Sequence, residues 1–164
     1  MMQGIFTFIC IAPVLYVTAN SSRLQVESQA YSLVWSDYVG FAIFAIGLLF
    51  EWLGDEQLKA HLRDEDPNKG KFCKRGLWRY TRHPNYFGDA LIWWGFYFMA
   101  LALPKGYWTF FGPLTMTLLL RFVSGVALLE KKQSQHEEFA RYAAETNAFI
   151  PWFPKEVGDD YARV

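Results

Sequence analysis

Apolar and charged residues occupy long separate blocks along this chain. Four blocks contain at most one charged residue each: residues 4–19, 38–53, 86–103 and 107–129. A helix that spans a bilayer needs about 17–25 predominantly apolar residues, a length that the last two blocks reach and the first two reach with flanking residues. Four such blocks are not expected of core helices in a soluble protein. The pattern therefore predicts an all-α fold, a multi-pass transmembrane helical bundle.

The composition agrees with this prediction once the separation of the charges is considered. Hydrophobic residues make up 52% and aromatic residues 19% of the 164 residues, yet the mean hydropathy is only +0.04. The mean hides the fact that the charged residues are concentrated between and after the apolar blocks. We expect one membrane domain, residues 1–164, in contact with lipid. No nucleic-acid partner and no metal site are expected, because the sequence has neither helix-turn-helix nor CxxC spacing.

Lysine and arginine are distributed unequally over the segments that join the blocks. Residues 54–85 carry eight and the tail after residue 129 carries five, whereas the opposite side carries only Arg23 and Lys105. By the positive-inside rule, four spans place the 54–85 loop and both termini in the cytosol, at a bacterial inner membrane or the endoplasmic reticulum. The first block also resembles a cleaved signal peptide, but the residues before it carry no positive charge.

The segment 76–89, GLWRYTRHPNYFGD, contains the main candidate chemistry. Pro84 suits the first position of a helix, so the third apolar helix is predicted to begin there, with His83 just outside. Free N–H groups at a helix N-terminus attract anions, and Arg79, Arg82 and His83 stand directly before it. Two arginines and a helix N-terminus fit a phosphate. The same arginines also suit lipid phosphates, in which case they only set the topology.

Polar residues within the apolar blocks are further candidates. Asn85 and Asp89 are four residues apart, on a helix face that Tyr86 flanks. A carboxylate such as Asp89 is costly in a span unless it is paired or faces a wet cavity; otherwise it lies in the headgroup layer. Arg121 either faces the bundle interior, where it binds an anion or Asp89, or extends to the cytosolic interface.

The polar tail predicts an amphipathic cytosolic helix over residues 130–145. Glu137 and Arg141 are one turn apart in that helix and are expected to pair. Two prolines interrupt the aromatic cluster at 149–154, FIPWFP, so this segment cannot be helical throughout. The cluster either docks back at the interface or only anchors the tail to lipid.

These residues resemble a known family. RYTRHPNYFGD, then Glu130 with Tyr142 downstream, then FIPWFPK resemble the steroid 5-alpha-reductase superfamily, most closely the branch in which GLWRYSRHPNYFGE and FIPWFPK recur. FEWLGDEQL, residues 50–58, is similar to that branch as well, so the resemblance covers about residues 40–155. Sterol reductases and isoprenylcysteine carboxyl methyltransferases share the RHPxYxG core.

The resemblance implies that NADPH binds near the cytosolic face, through the C-terminal half of the chain. The positions that it implies for cofactor binding are Arg79, Arg82, His83, Asn85, Tyr86, Asp89, Arg121, Glu130, Arg141 and Tyr142. In the reductases the proton-donating tyrosine and its acidic partner lie further N-terminal, on helices that this chain is expected to lack. No catalytic residue is therefore assigned.

The sequence thus predicts an NADPH-dependent oxidoreductase that transfers a hydride to an activated C=C bond of a lipid or steroid-like substrate. Two alternatives stay open. One is an S-adenosylmethionine-dependent methyltransferase on the same scaffold, although two arginines favour the dinucleotide because S-adenosylmethionine has no phosphate. The other is a truncated, non-catalytic membrane protein, which the late start of the sequence favours.

Overall fold

The computed structural model describes residues 8–26, 33–66 and 68–158, and for residues 21–26 it describes the backbone only. Six complete α-helices and no β-strand lie in these residues, which confirms the all-α prediction. The helices are α1 (Ala12–Val26), α2 (Trp35–Arg63), α3 (Pro84–Ala100), α4 (Phe111–Leu118), α5 (Val126–Gln133) and α6 (Glu137–Glu145). Shorter helical turns cover Gly76–Arg79, Gly106–Phe110 and Leu119–Val123.

Two helical stretches in the described residues are long and apolar enough to cross a membrane. They are α2, with a mean hydropathy of 1.5, and Gly106–Gln133, with a mean hydropathy of 1.6. A helix this apolar in a soluble protein would be buried. Only 17% and 28% of the two apolar segments are buried, and large side chains such as Phe41 and Trp52 are exposed. These exposed side chains fit contact with lipid. The count of four spans and their orientation stay predictions.

The stretch Gly106–Gln133 is not a uniform helix. It begins with a 3-10 turn, continues as α4 and widens into a π-helical turn over Leu119–Val123 before α5 begins. Lys105 precedes it in the left-handed conformation, with a φ of 63°, in the short connection between α3 and this stretch. Single π-helical turns are frequent at functional sites, and the candidate residue Arg121 lies in this one.

The chain packs as two compact units. Unit 1 comprises the described residues of Met1–Leu48 and Ala90–Leu119, and unit 2 those of Leu49–Asp89 and Leu120–Val164. All the predicted cofactor positions belong to unit 2. The single membrane domain over residues 1–164 stays a prediction.

Helices in unit 1 approach one another closely at glycines. A Cβ atom added at Gly40 would lie 2.8 Å from Gly95 O, and one added at Gly95 would lie 2.8 Å from Phe44 N. Only glycine, which has no side chain, allows α2 and α3 to lie this close together, as in many pairs of membrane helices. Trp94 Nε1 donates a hydrogen bond to Thr117 Oγ1 at 3.1 Å and ties α3 to α4.

In unit 2 the 3-10 turn Gly76–Arg79 and the loop after it connect α2 to the C-terminal segment. Trp78 is buried, and its Nε1 donates to Gly54 O of α2 at 2.9 Å. The backbone of Thr81 forms an isolated β-bridge with Asn147. The segment that follows α6 is therefore held against the loop that precedes α3.

The helix boundaries confirm one prediction and correct another. The third apolar helix begins at Pro84, as predicted. The tail is not one helix over residues 130–145, because α5 ends at Gln133 and α6 begins at Glu137. Ser134 Oγ donates back to Lys131 O at 2.9 Å, and His136 takes an extended conformation with a φ of −106°. The extended residue His136 separates α5 from α6.

The ion pair of α6 also differs from the prediction. Arg141 Nε donates to Glu145 Oε1 at 2.9 Å, one turn towards the C-terminus, and not to Glu137. Lys74 Nζ also lies 3.0 Å from Glu145 Oε2. The carboxylate of Glu145 thus accepts hydrogen bonds from two cations.

Candidate functional site

Arg82 connects three segments of unit 2. Its side chain is only 8% exposed, and it donates to Glu130 Oε1 from Nε at 2.9 Å, while Nη2 lies 2.7 Å from the same oxygen. Nη1 donates to Ala143 O at 2.9 Å and to Thr146 O. The backbone N–H of Arg82 donates to Asn147 O at 2.9 Å. One residue therefore joins the loop before α3 to α5 and to the end of α6.

These partners give Arg82 a structural role that the sequence does not predict. A buried guanidinium is stable only when its charge is paired and its N–H groups are bonded, and Glu130 and two carbonyl groups meet both needs. The predicted contact of Arg82 with a cofactor phosphate stays a prediction. The bonds of Arg82 also hold in place the segment that carries Arg79.

His83 and Tyr86 lie beside this ion pair. The imidazole of His83 is buried, and it stacks on the Tyr86 ring at a centroid distance of 5.7 Å and an interplanar angle of 6°. His83 Nε2 lies 3.4 Å from Glu130 Oε1, without the geometry of a hydrogen bond to any described residue. Glu130 thus faces both Arg82 and His83, and protonation of His83 would add a second cation to the same carboxylate oxygen.

The first turn of α3 brings the predicted polar face to the end of α2. Asn85 Nδ2 donates to Asp55 Oδ1 at 3.0 Å. The carboxylate of Asp89 is half-buried and lies near enough to that of Glu51 for the two to repel each other. This face is rich in carboxylates, which suit hydroxyl and amide donors of a ligand and do not suit phosphates.

An open pocket in unit 2 gathers cationic side chains. It has a volume of about 490 Å³, and we call it the basic pocket. Two of the predicted cofactor residues, Arg79 and Arg141, line it. Its complete lining is Lys74, Arg79, Arg141, Glu145, Thr146, Pro154, Lys155, Glu156 and Val157. Four cations face two carboxylates here, so the pocket attracts anions.

The charge of Glu145 is set by its neighbours in the basic pocket. Partial burial favours a higher pKa for this carboxyl group, but hydrogen bonds from Lys74 and Arg141 outweigh burial and hold the pKa below its ordinary value of 4.5. Glu145 is therefore ionised at neutral pH and shared by two cations. Because one carboxylate serves two cations, the pocket keeps a positive excess to which Arg79 and Lys155 add.

Tyr142 is part of the packing of α6. Its ring is buried and stacks on Phe72 at a centroid distance of 5.8 Å, and its hydroxyl donates to Trp78 O at 2.8 Å. Burial raises the pKa of the Tyr142 hydroxyl, so it is a neutral donor at any physiological pH. Its predicted contact with a cofactor stays a prediction. The hydroxyl already satisfies a backbone carbonyl.

A protein-family model described as "Protein of unknown function (DUF1295)" matches residues 1–146. The chain belongs to the DUF1295 family. The chain is also 28% identical, over 145 residues, to 3-oxo-5-alpha-steroid 4-dehydrogenase 1 of Rattus norvegicus. That alignment covers 84% of this chain and 52% of the rat protein, so the chain spans about half the length of this relative. No solved structure matches the chain.

These similarities support the predicted steroid 5-alpha-reductase superfamily for this DUF1295 chain. The relation to isoprenylcysteine carboxyl methyltransferases stays a prediction. The structure places eight of the ten predicted cofactor residues in three groups, to which Arg121 and Tyr142 do not belong. Arg79 and Arg141 line the basic pocket, and Arg82, His83, Tyr86 and Glu130 form the buried cluster. Asn85 and Asp89 lie on the acidic face of α3, while Arg121 lies over the Phe122 ring at 5.1 Å.

Two cations of the basic pocket were not predicted from the sequence. Lys74 and Lys155 line it together with Arg79 and Arg141. Both lie in irregular segments among other charged residues, and neither is part of the 76–89 motif. Lys155 is brought to the pocket by the bond from its backbone N–H to Glu145 O, at 2.9 Å. No pattern in the sequence indicates this contact.

The close approach of Tyr86 to Gly125 gives a test of the cluster around α3. A Cβ atom at Gly125 would lie 2.6 Å from Leu120 O and 3.1 Å from Tyr86 Cε2. We expect Gly125→Ala to lower the free energy of unfolding by about 1–3 kcal/mol, as overpacking does in other tightly packed cores. Denaturant titration of the purified protein in detergent measures this change. Gly158→Ala is the control, because no described atom lies within 4 Å of its added Cβ. Equal losses of unfolding free energy in the two variants would contradict the close packing of Gly125 against Tyr86.

Proposed function

We propose that this chain binds NADPH and serves the reduction of an activated C=C bond in a lipid or steroid-like substrate at a membrane. The observation that carries the proposal is the similarity to the rat 3-oxo-5-alpha-steroid 4-dehydrogenase 1, which extends over 84% of this chain. The two apolar helices with outward-facing side chains agree with a membrane location and a lipophilic substrate.

The basic pocket fits the phosphates of a dinucleotide. Its volume of about 490 Å³ lies within the usual range of ligand sites. Arg79 and Arg141 are exposed and can present planar N–H pairs to phosphate oxygens, while Arg82 is bonded within the protein. NADPH carries three phosphates and S-adenosylmethionine carries none. The chemistry of this pocket therefore favours NADPH.

Different parts of unit 2 take different roles in this proposal. Arg79 and Arg141 hold cofactor phosphates. The pair of Arg82 with Glu130, beside His83, keeps the loop that carries Arg79 in place. The carboxylate-rich face with Asn85 and Asp89 suits ribose hydroxyls, and Tyr86, Arg121 and Tyr142 remain proposed contacts of the cofactor.

NADPH supplies the hydride when bound, and the protein orients it and excludes water.

The substrate class can be tested with the whole chain reconstituted in lipid. We expect an α,β-unsaturated 3-oxosteroid to accelerate NADPH oxidation, measured by the loss of nicotinamide absorbance. The matched saturated 3-oxosteroid has no C=C bond and should not accelerate it. Equal oxidation rates with both steroids would contradict reduction of a C=C bond.

The orientation in the membrane is also part of the proposal. If loop 54–85 and the C-terminus are cytosolic, reporter fusions after Asn68 and Val164 should give a cytosolic signal, and a fusion after Ser28 should give an external one. The reason is the excess of lysine and arginine in the loop and the tail. A cytosolic signal at residue 28, or an external one at residue 68, would show that the orientation is wrong.

A further inference from the structure

Unit 2 exposes a small group of large apolar side chains outside both candidate spans. Ile150, Trp152 and Phe153 are 64%, 63% and 74% exposed, and Tyr80 beside them is 38% exposed. We call these four residues the aromatic ridge. The rings of Tyr80 and Phe153 meet edge to face, with centroids 6.3 Å apart. An exposed apolar group of this kind is typical of a surface that contacts another protein, a ligand or a membrane.

The exposure of the ridge is fixed by the backbone around it. The Trp152 N–H donates to Tyr80 O at 3.0 Å, and the Lys155 N–H donates to Glu145 O at 2.9 Å. Pro151 and Pro154 further restrict the segment because their φ angles are locked. The segment therefore cannot turn its aromatic side chains inward without breaking these bonds. The fold holds them outward.

The chemistry of the ridge and its surroundings identifies a lipid surface as the partner. Tryptophan and tyrosine are enriched where a bilayer meets water, because their rings are apolar and carry one polar group. Arg79 and Lys155, next to the ridge in sequence, belong to the basic pocket, whose positive excess complements anionic headgroups. Residues 150–155 are not helical, so they cannot enter the hydrocarbon core, and any lipid that they contact is in the headgroup layer.

We infer that the aromatic ridge lies in the headgroup layer of an anionic bilayer and attaches the segment after α6 to the membrane surface. This surface goes beyond the proposed reductase function and does not depend on NADPH binding. It keeps the basic pocket beside the membrane, where a lipophilic substrate is concentrated.

Site-directed spin labelling of the full chain in vesicles tests this placement. Nitroxides are attached at Phe153→Cys and Ile150→Cys, with Ala140→Cys on the exposed side of α6 as the control. Cys10 and Cys73 are buried and stay in place, and the unsubstituted protein serves as the labelling blank. The measured quantity is the ratio of collision rates with oxygen, which partitions into lipid, and with a water-soluble nickel complex.

In vesicles with anionic lipid, we expect this ratio to be several-fold higher at residues 150 and 153 than at residue 140. Vesicles made only of zwitterionic lipid should lower the ratio at both ridge positions. Equal ratios at the ridge and at residue 140 would overturn the inference. So would dipolar broadening of the ridge labels that disappears on dilution with unlabelled protein, since a second copy of the chain would then cover the ridge.

Discussion

Replacement of Arg82 by alanine is expected to lower the free energy of unfolding by about 3–5 kcal/mol, the usual cost of breaking a buried ion pair. The variant leaves Glu130 with no arginine partner and deprives the carbonyl groups of Ala143 and Thr146 of their donor. It also removes the side-chain bonds that tie the loop before α3 to α5 and α6. Denaturant titration in detergent, followed by circular dichroism, measures the loss.

Two further variants make this prediction specific to the buried cluster. Arg82→Lys should recover only part of the stability, because a lysine is a point charge and cannot bond to three groups in a planar arrangement. Arg75→Ala is the matched control, since Arg75 is 75% exposed and lies 3.8 Å from Asp64. An exposed pair of this kind contributes about 0–1 kcal/mol. If Arg75→Ala and Arg82→Ala were equally destabilising, Arg82 would not hold the loop.

Replacement of Arg79 by alanine is expected to weaken NADPH binding with little change in stability. A charge-assisted hydrogen bond contributes about 1.5–3 kcal/mol, so the dissociation constant should rise roughly ten- to a hundred-fold. Stability should hold because the Arg79 side chain is exposed, and its carbonyl group, which accepts from Thr146 Oγ1, is unchanged. Fluorescence titration of the purified variant with NADPH measures the change.

Arg141→Ala should act in the same direction, since Arg141 lines the same pocket. Arg75→Ala is again the control, because it removes one exposed positive charge of unit 2 from outside the basic pocket. Comparable weakening by Arg75→Ala would indicate a general effect of charge. Unchanged NADPH affinity in both Arg79→Ala and Arg141→Ala would exclude the basic pocket as the phosphate site.

Local signals in the sequence were sufficient to predict some elements of the fold. The start of α3 at Pro84 was predictable because proline favours the first helical position and disfavours a helical conformation at the residue before it. The break between α5 and α6 was not, since it contains neither proline nor glycine. Contacts of Phe139 and Tyr142 with Phe72, far away in sequence, fix the position of α6. Such contacts leave no periodic signal.

In the candidate site, too, the sequence indicates which residues matter but not which residues they contact. The sequence marks Arg82 as a candidate phosphate ligand and the family resemblance implies a role for Glu130, but neither indicates that the two residues bond to each other across 48 positions. A basic residue near a helix N-terminus suits a ligand phosphate and an internal carboxylate equally well, and only the packing distinguishes them. Lys74 and Lys155 join the basic pocket through tertiary structure alone.

Calorimetric titration of the purified chain tests whether the basic pocket binds the phosphates of NADPH. NADPH, NADH and S-adenosylmethionine are titrated separately at one ionic strength. We expect NADPH to bind most tightly and NADH to bind more weakly by the contribution of its missing phosphate, about 1.5–3 kcal/mol. S-adenosylmethionine, which has no phosphate, should bind weakest. Tighter binding of S-adenosylmethionine than of NADPH, or no binding of NADPH at all, would contradict a phosphate site for NADPH in the basic pocket.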